Sequence, residues 1–279
     1  MGINKEMWST IAEANLFAKT PLVTVANKQF EGDLKQGKTV NVYTYPLADT
    51  PDEVDYDGDV AVDFTRVKPG IVSLTIDQVK SFGLRVDDVD KIQNSPDTLE
   101  KFVENELEKK AVAIDSYLLN LCKTSIVTNV LDYSTTKLTK DNIVEIIDEV
   151  NVSLDEQNAS KKRFIYLDPK SVSVLRQANL VNILKSEDTI VGPKEVMYFG
   201  DNIEIISSSL VKAESGVLTI IAGTKDMINF VSQIDSVEST RLTSVGLAAD
   251  GVLGLYSYGA KIFNEKKGVK LLVKDYKAL

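Results

Sequence analysis

Residues Ile71 to Asp90 read IVSLTIDQVKSFGLRVDDVD. Apolar and polar residues alternate through most of this stretch, and a period of two places alternate side chains on opposite faces of an extended strand. It ends in the acids Asp87, Asp88 and Asp90. An Asp-rich excursion precedes it, and the longest helical pattern of the chain follows it. No glycine-rich phosphate loop or recognisable catalytic spacing interrupts it. The stretch reads as one leg of a long β-hairpin that returns to the body of the molecule. Such a chain works by reaching onto its neighbours.

The other leg is Lys38 to Tyr45. Val40, Val42 and Thr44 fall on one face and Tyr43 and Tyr45 on the other, and Pro46 closes the strand. Leu47 to Asp63 is an excursion carrying Asp49, Asp52, Glu53, Asp55, Asp57, Asp59 and Asp63. Phe64 to Arg85 returns as strand, broken at Lys68-Pro69-Gly70. Lys38 to Arg85 together read as a hairpin with an acidic tip. Upstream, Asn4 to Lys19 is an amphipathic helix with Trp8, Ile11, Ala12 and Leu16 on one side. Thr20-Pro21 ends it, and Leu22 to Phe30 is extended.

Downstream, Ser95-Pro96-Asp97 is a helix start: a capping serine, a proline suited to the first helical position, and acids near the positive end of the dipole. Leu99, Phe102, Val103, Leu107, Ala111, Ile114, Leu118 and Leu121 recur at helical spacing, so a spine helix of about 40 Å at 1.5 Å per residue is expected over 96–123. A second helix starts at Thr139 and carries Ile143, Ile146, Ile147, Val150 and Leu154. Arg163 to Leu167 (RFIYL) is a short buried strand. Asp168-Pro169 repeats the cap-plus-proline pattern and starts another helix. Ile203–Ile206 and Val217–Ala222 are strands, and Lys225 to Val231 is a short helix or turn. This alternation predicts a compact α/β lobe. Val252–Phe263 and Val269–Val273 are expected to form a C-terminal hairpin across the polar turn Asn264 to Gly268, a sheet for the spine helix to pack on.

Composition removes several kinds of chemistry. The 279 residues contain no histidine and one cysteine, Cys122. One chain cannot then build a Ser-His-Asp triad, a Cys-His dyad, a His- or Cys-based zinc site or an internal disulfide. Cys122 is expected as a small buried hydrophobe in the last turn of the spine helix. A net charge of −9 argues against an electrostatic grip on nucleic acid. The densest basic sets, Lys161-Lys162-Arg163 and Lys266-Lys267, read as solvated turns. No apolar run approaches the roughly 20 residues of a membrane span, and the first residues show no secretory signal.

Three clusters invite a site assignment. Asp55-Tyr56-Asp57-Gly58-Asp59 looks like the first half of a calcium loop, but Val60 and Arg66 stand where an EF-hand wants Gly and Glu; a solvated acidic loop is the better account. Asp87, Asp88 and Asp90 could be paired carboxylates, yet they fit a strand-to-helix connection better. Gly246, Gly251, Gly254 and Gly259 match neither the phosphate loop nor the dinucleotide fingerprint, and close backbone packing explains them. The sequons at Asn151 and Asn158 are chance matches. No catalytic, cofactor or metal residues are assigned.

The order of elements (N-terminal helix and arm, long hairpin, spine helix, α/β lobe, returning C-terminal strands) resembles the major capsid proteins of tailed bacteriophages, the Hong-Kong-97-type fold. Residues Val25-Ala26-Asn27-Lys28-Gln29-Phe30-Glu31-Gly32 and Gly37-Lys38-Thr39-Val40-Asn41-Val42 are similar to the segment leading into the extended loop of many such coats. Ile76-Asp77-Gln78, Phe82 and Val86-Asp87-Asp88-Val89-Asp90 are similar to its exit. The resemblance implies an α+β fold: an N-arm over 1–36, an extended loop over 37–85, a peripheral domain over 86–130 and 225–279, and an α/β axial domain over 131–224. It implies a shell subunit in pentamers and hexamers, with scaffolding and portal proteins as partners. The shell would enclose DNA without reading its sequence, in a virion assembled in the host bacterial cytoplasm. Lys68 and Lys80 are the nearest loop candidates for the covalent cross-link of some relatives, but no motif matches and none is expected. Trp8, Tyr43, Tyr45, Asp55, Asp57, Asp59, Arg66, Lys68, Arg85, Asp87, Asp88, Lys266 and Lys267 are candidates for contact between subunits. Two alternatives stand beside the coat: an encapsulin-like compartment shell on the same fold, and an enzyme with an acidic metal site at Asp55, Asp57 and Asp59 or at Asp87, Asp88 and Asp90.

Overall fold

In the computed structural model of the chain, residues 20–29, 39–44, 70–87, 97–178, 181–188, 192–200, 203–241 and 249–276 are described. The helices are α1 (Pro21–Val25), α2 (Asp97–Ser125), α3 (Ile143–Glu156) and α4 (Pro169–Gln177). The strands are β1 (Thr39–Thr44), β2 (Gly70–Thr75), β3 (Gln78–Asp87), β4 (Val130–Lys137), β5 (Arg163–Leu167), β6 (Val181–Asp188), β7 (Gly192–Phe199), β8 (Ile203–Ser207), β9 (Ala213–Glu214), β10 (Val217–Thr224), β11 (Ile228–Arg241), β12 (Ala249–Ile262) and β13 (Gly268–Lys274). They build three sheets: the β1–β2 pair, a three-stranded sheet in the order β11-β12-β3, and a mixed sheet in the order β4-β13-β10-β5-β8-β7-β6, with β9 beside β10.

The spine helix α2 runs 29 residues, which is about 43 Å at 1.5 Å per residue. Ala111, Ile114, Leu118, Leu119 and Cys122 form its buried stripe, the face expected of an amphipathic helix. Strand β5 shows how the core divides. All five of its residues are buried, and successive side chains point to opposite faces. Phe164 and Tyr166 join the cluster that includes the spine helix. Ile165 and Leu167 join the cluster under α3 and α4, with Ile143, Ile147 and Val150. The large sheet is thus covered on both faces, as a run without polar alternation requires.

Local chemistry fixes the helix starts. The Asp168 carboxylate accepts from the backbone N–H groups of Lys170 at 3.1 Å and Ser171 at 3.3 Å, and Pro169 fills the first turn. Arg163 is 3% exposed yet fully engaged. It donates to the Asn151 carbonyl at 3.1 Å, the Asn151 side chain at 2.9 Å and the Ser160 carbonyl at 3.2 Å, and it pairs with Asp155. A buried guanidinium needs this degree of satisfaction. The asparagine of the first sequon is committed to that network.

Four expectations need correction. Residues 70–87 are not one hairpin leg: β2 pairs with β1, whereas β3 pairs with β12 in the three-stranded sheet. The C-terminal strands are not a hairpin: β12 lies between β11 and β3, and β13 enters the large sheet between β10 and β4. A 3-10 turn at Glu265–Lys267 carries the chain from one sheet to the other. Lys225–Val231 turns only briefly before β11 runs 14 residues. Pro21–Val25 is helical rather than extended. There Leu22, Val23 and Val25 are buried in the cluster that includes the spine helix, so tertiary packing overrides the β preference of Val. The N-terminal helix over 4–19 and the acidic tip over 47–63 lie outside the described residues.

Candidate assembly site

The hairpin is built from the pairing of Thr39–Thr44 with Gly70–Thr75. Val40 faces Leu74 and Val42 faces Val72 across the ladder, so one set of side chains shares a face. That face is apolar: Val40, Leu74 and Ile76 cluster with Val231 of β11, and Val42 and Phe263 pack beside them. The opposite face is polar and exposed. Ser73 donates to the Asn41 side chain at 2.7 Å, and the Thr39 and Thr75 hydroxyls lie 3.5 Å apart. Ile71 interrupts it, 61% exposed.

Among the described residues, hydrogen bonds from Tyr117 and Lys261 tie the hairpin to the body. The Tyr117 hydroxyl of the spine helix donates to Asp77 Oδ1 at 2.9 Å. The Lys261 ammonium of β12 donates to the Ser73 carbonyl at 2.9 Å. Tyr117 also meets the Tyr258 ring edge-on at 5.4 Å between centroids. Partial burial, with the Asp77 carboxylate nearby, raises the Tyr117 hydroxyl to about 12, so it remains a donor at any physiological pH.

The segment before the hairpin docks separately. The Leu22 N–H donates to Asp115 Oδ1 at 3.1 Å. Asn27 forms an isolated bridge with β11: its N–H donates to the Ile228 carbonyl at 2.7 Å, and its own carbonyl accepts from Phe230 N–H at 3.0 Å. Its side-chain amide donates to Asn229 Oδ1 at 3.0 Å.

Of the contact residues named from sequence, Tyr43, Arg85, Asp87, Lys266 and Lys267 are among the described residues. Tyr43 lies opposite Ile71 in the β1–β2 ladder. Arg85 and Asp87 lie on β3, opposite Gly251 and Ala249 of β12, and so belong to the body. Lys267 pairs with Asp226 and is engaged within the chain, while Lys266 beside it is exposed. Trp8, Tyr45, Asp55, Asp57, Asp59, Arg66, Lys68 and Asp88 lie outside the described residues. Of the residues at the hairpin root, Asp77 falls in the segment read as the loop exit and Gly259 among the glycines read as close backbone packing, which its approach to Thr75 and Ile76 bears out. Tyr117 and Lys261 escaped notice because no local motif marks them, and only the fold brings Tyr117 to Asp77 and Lys261 to Ser73.

This mixed α/β architecture matches the fold of phage capsid proteins, the Hong-Kong-97 type. The chain is similar in structure to a chain of Mycobacterium phage Che8 at 19% identity, with 90% of each chain covered and a TM-score of 0.65. It is similar to the capsid of cyanophage P-SCSP1u at 13% identity, covering 90% of this chain and 86% of that one, TM-score 0.64. It is also similar to the SrpI encapsulin of Synechococcus elongatus at 14% identity, covering 94% and 91%, TM-score 0.57. No family model matches the chain, and no curated protein does.

Proposed function

We propose that this chain is a major capsid protein of a tailed bacteriophage, a coat subunit that self-assembles into an icosahedral shell around double-stranded DNA. The observation that carries the reading is the likeness to capsid structures across about nine tenths of both chains. Residues 1–36 are the N-arm. Residues 37–85 are the extended loop, whose described strands are the β1–β2 pair and β3, which lies along β12. Residues 86–130 and 225–279 contribute the peripheral domain with the spine helix, and 131–224 the axial domain, into whose sheet β13 is threaded.

The physics supports a shell. A subunit of this kind gains from many modest contacts, and an arm that lies on a neighbour extends the interface toward the roughly 1,600 Å² of a stable association. The exposed Ile71 on the hairpin suits burial against another copy. The net charge of −9 limits adhesion of the inner surface to the DNA it encloses. Pentamers and hexamers of the chain, a separate scaffolding protein and a portal are the expected partners.

Negative-stain microscopy of the expressed protein tests the proposal. Closed shells, tubes or capsomers are expected, and a protein that stays monomeric at every concentration and salt overturns it. The encapsulin likeness favours a second reading, a compartment shell. Particles from the native source that contain duplex DNA support the coat; particles that contain a protein cargo and no DNA support the compartment.

A further inference from the structure

The hairpin leaves the body over a single glycine. The β3–β12 ladder ends with Gln78 opposite Tyr258. One more step would set Asp77 opposite Gly259; instead the chain lifts off the sheet. A Cβ on Gly259 would overlap the Thr75 carbonyl oxygen and lie 2.9 Å from Ile76 Cα and 3.0 Å from the Thr75 carbonyl carbon. Gly259 is itself buried and paired with Val231 of β11, so it cannot retreat without moving the middle of the sheet. Beside this crossing stand the Tyr117–Asp77 and Lys261–Ser73 hydrogen bonds. The wedge of Val40, Leu74, Ile76 and Val231 lies under it.

We propose that Gly259 is the fulcrum, and the Tyr117–Asp77 hydrogen bond the latch, that together set the angle at which the β1–β2 hairpin leaves the spine helix. The hydrogen bond holds Asp77 on the spine-helix side of the crossing, and the absent Cβ lets Thr75 pass. Two residues of strand separate these points, about 6.6 Å at 3.3 Å per residue. A methyl group at 259 would push the Thr75 oxygen away by about 1 Å to reach ordinary contact. Over that lever the hairpin turns by about 9°, which moves Ile71, about 20 Å from the latch at 3.3 Å per residue, by about 3 Å. The consequence for assembly rests on the shell reading; the angle does not.

The test is a distance between spin labels on Ile71→Cys, 61% exposed, and Val112→Cys of the spine helix, 52% exposed, with the fully buried Cys122 left in place. Gly259→Ala should shift the modal distance by about 3 Å. Gly83→Ala, on β3 where a Cβ meets nothing within 4 Å, should leave it unchanged. Tyr117→Phe keeps the ring and removes the hydroxyl, and should broaden the distribution about its original centre. An unchanged Gly259→Ala distance, or an equal shift in Gly83→Ala, overturns the fulcrum. Should Gly259→Ala fail to fold, the Tyr117→Phe distribution decides, and an unaltered width overturns the proposal. Microscopy of the unlabelled proteins separates the two questions. If the wild type forms shells, Gly259→Ala should give aberrant sizes or tubes. If the wild type forms none, the shell reading fails while the label distances still judge the hinge.

Discussion

Replacing Asp115 with Asn should change how the stability of the subunit depends on pH. Asp115 is 3% exposed on the spine helix, where Leu22, Val23, Ile114, Leu118 and Tyr166 belong to the same apolar cluster. Burial raises its carboxyl to about 7, and the N–H of Leu22 offsets this only in part. The titratable group that feels it is Tyr166 of β5, whose hydroxyl is pushed further up by the same carboxylate. The sign follows from proton counting. Between the ordinary carboxylate value of 3.8 and 7 the unfolded chain has lost the proton and the folded chain keeps it. Stability therefore falls as pH rises through that window and levels off above it. At about 1.4 kcal/mol per pH unit, the span from pH 5 to 7 removes about 2–3 kcal/mol from the wild type and nothing from an Asn variant. The Asn oxygen can still accept from Leu22, while its new amide donors need partners, a pH-independent cost of about 1 kcal/mol. Urea unfolding of unassembled subunits at pH 5 and pH 8 measures the difference. The variant should gain about 2–3 kcal/mol on the wild type between the two pH values. Parallel pH profiles would refute the assignment of a buried, proton-holding carboxyl between the spine helix and α1.

Phe164→Ala removes a side chain of 0% exposure from the centre of the large sheet and should cost about 3–5 kcal/mol, read from the urea midpoint at constant slope. Asp168→Ala leaves the Lys170 and Ser171 N–H groups without their cap and should cost about 1–2 kcal/mol, whereas Asp168→Asn should recover most of it. Cys122 is fully buried, and burial raises its thiol to about 12. It should resist a thiol reagent at pH 8 in the native protein and react fully in denaturant; fast native labelling would contradict that placement. Deletion of residues 49–63 should leave the unfolding curve intact and impair assembly, as microscopy would show; normal shells would make that segment dispensable.

Elements marked by local signals were legible. The spine helix, α3, α4 and β5 announce themselves through caps and periodicity, and each lies within four residues of its expected place. The first hairpin was legible too, because two alternating runs flank an excursion rich in turn-forming residues. Partner choice over long range was not. Alternation in Gly70–Asp87 says which side chains share a face, but it does not say that Thr75 answers to β1 and Gln78 to β12. The short break at Ile76-Asp77 contains no Gly or Pro to mark the change. Strand β11 was missed because Ser232–Arg241 (SQIDSVESTR) is too polar to read as a strand. Its ladder with β12 holds it, with a register shift between Ile234 and Ser236.

The hairpin and the segment before it converge on one small region of the body. Asp115 holds the Leu22 backbone, and Tyr117, two residues along the same helix, holds Asp77. Asn27 bridges β11 between Ile228 and Phe230, and Val231 next in line packs under the hairpin. Gly259 and Lys261 on β12 receive the hairpin root from the other side. Leu22, Val23 and Val25 share a cluster with Phe164 and Tyr166 of the large sheet, whereas the hairpin packs in a separate cluster with Val231 of β11. This division has a mechanical consequence. A displacement of the hairpin should therefore be felt by the spine helix and β11, the same elements that hold the segment before it. Coupling of this kind predicts non-additivity: the effects of Tyr117→Phe and of a weakened Asn27 bridge on assembly should differ from their sum, whereas either paired with a change beneath α3 should add.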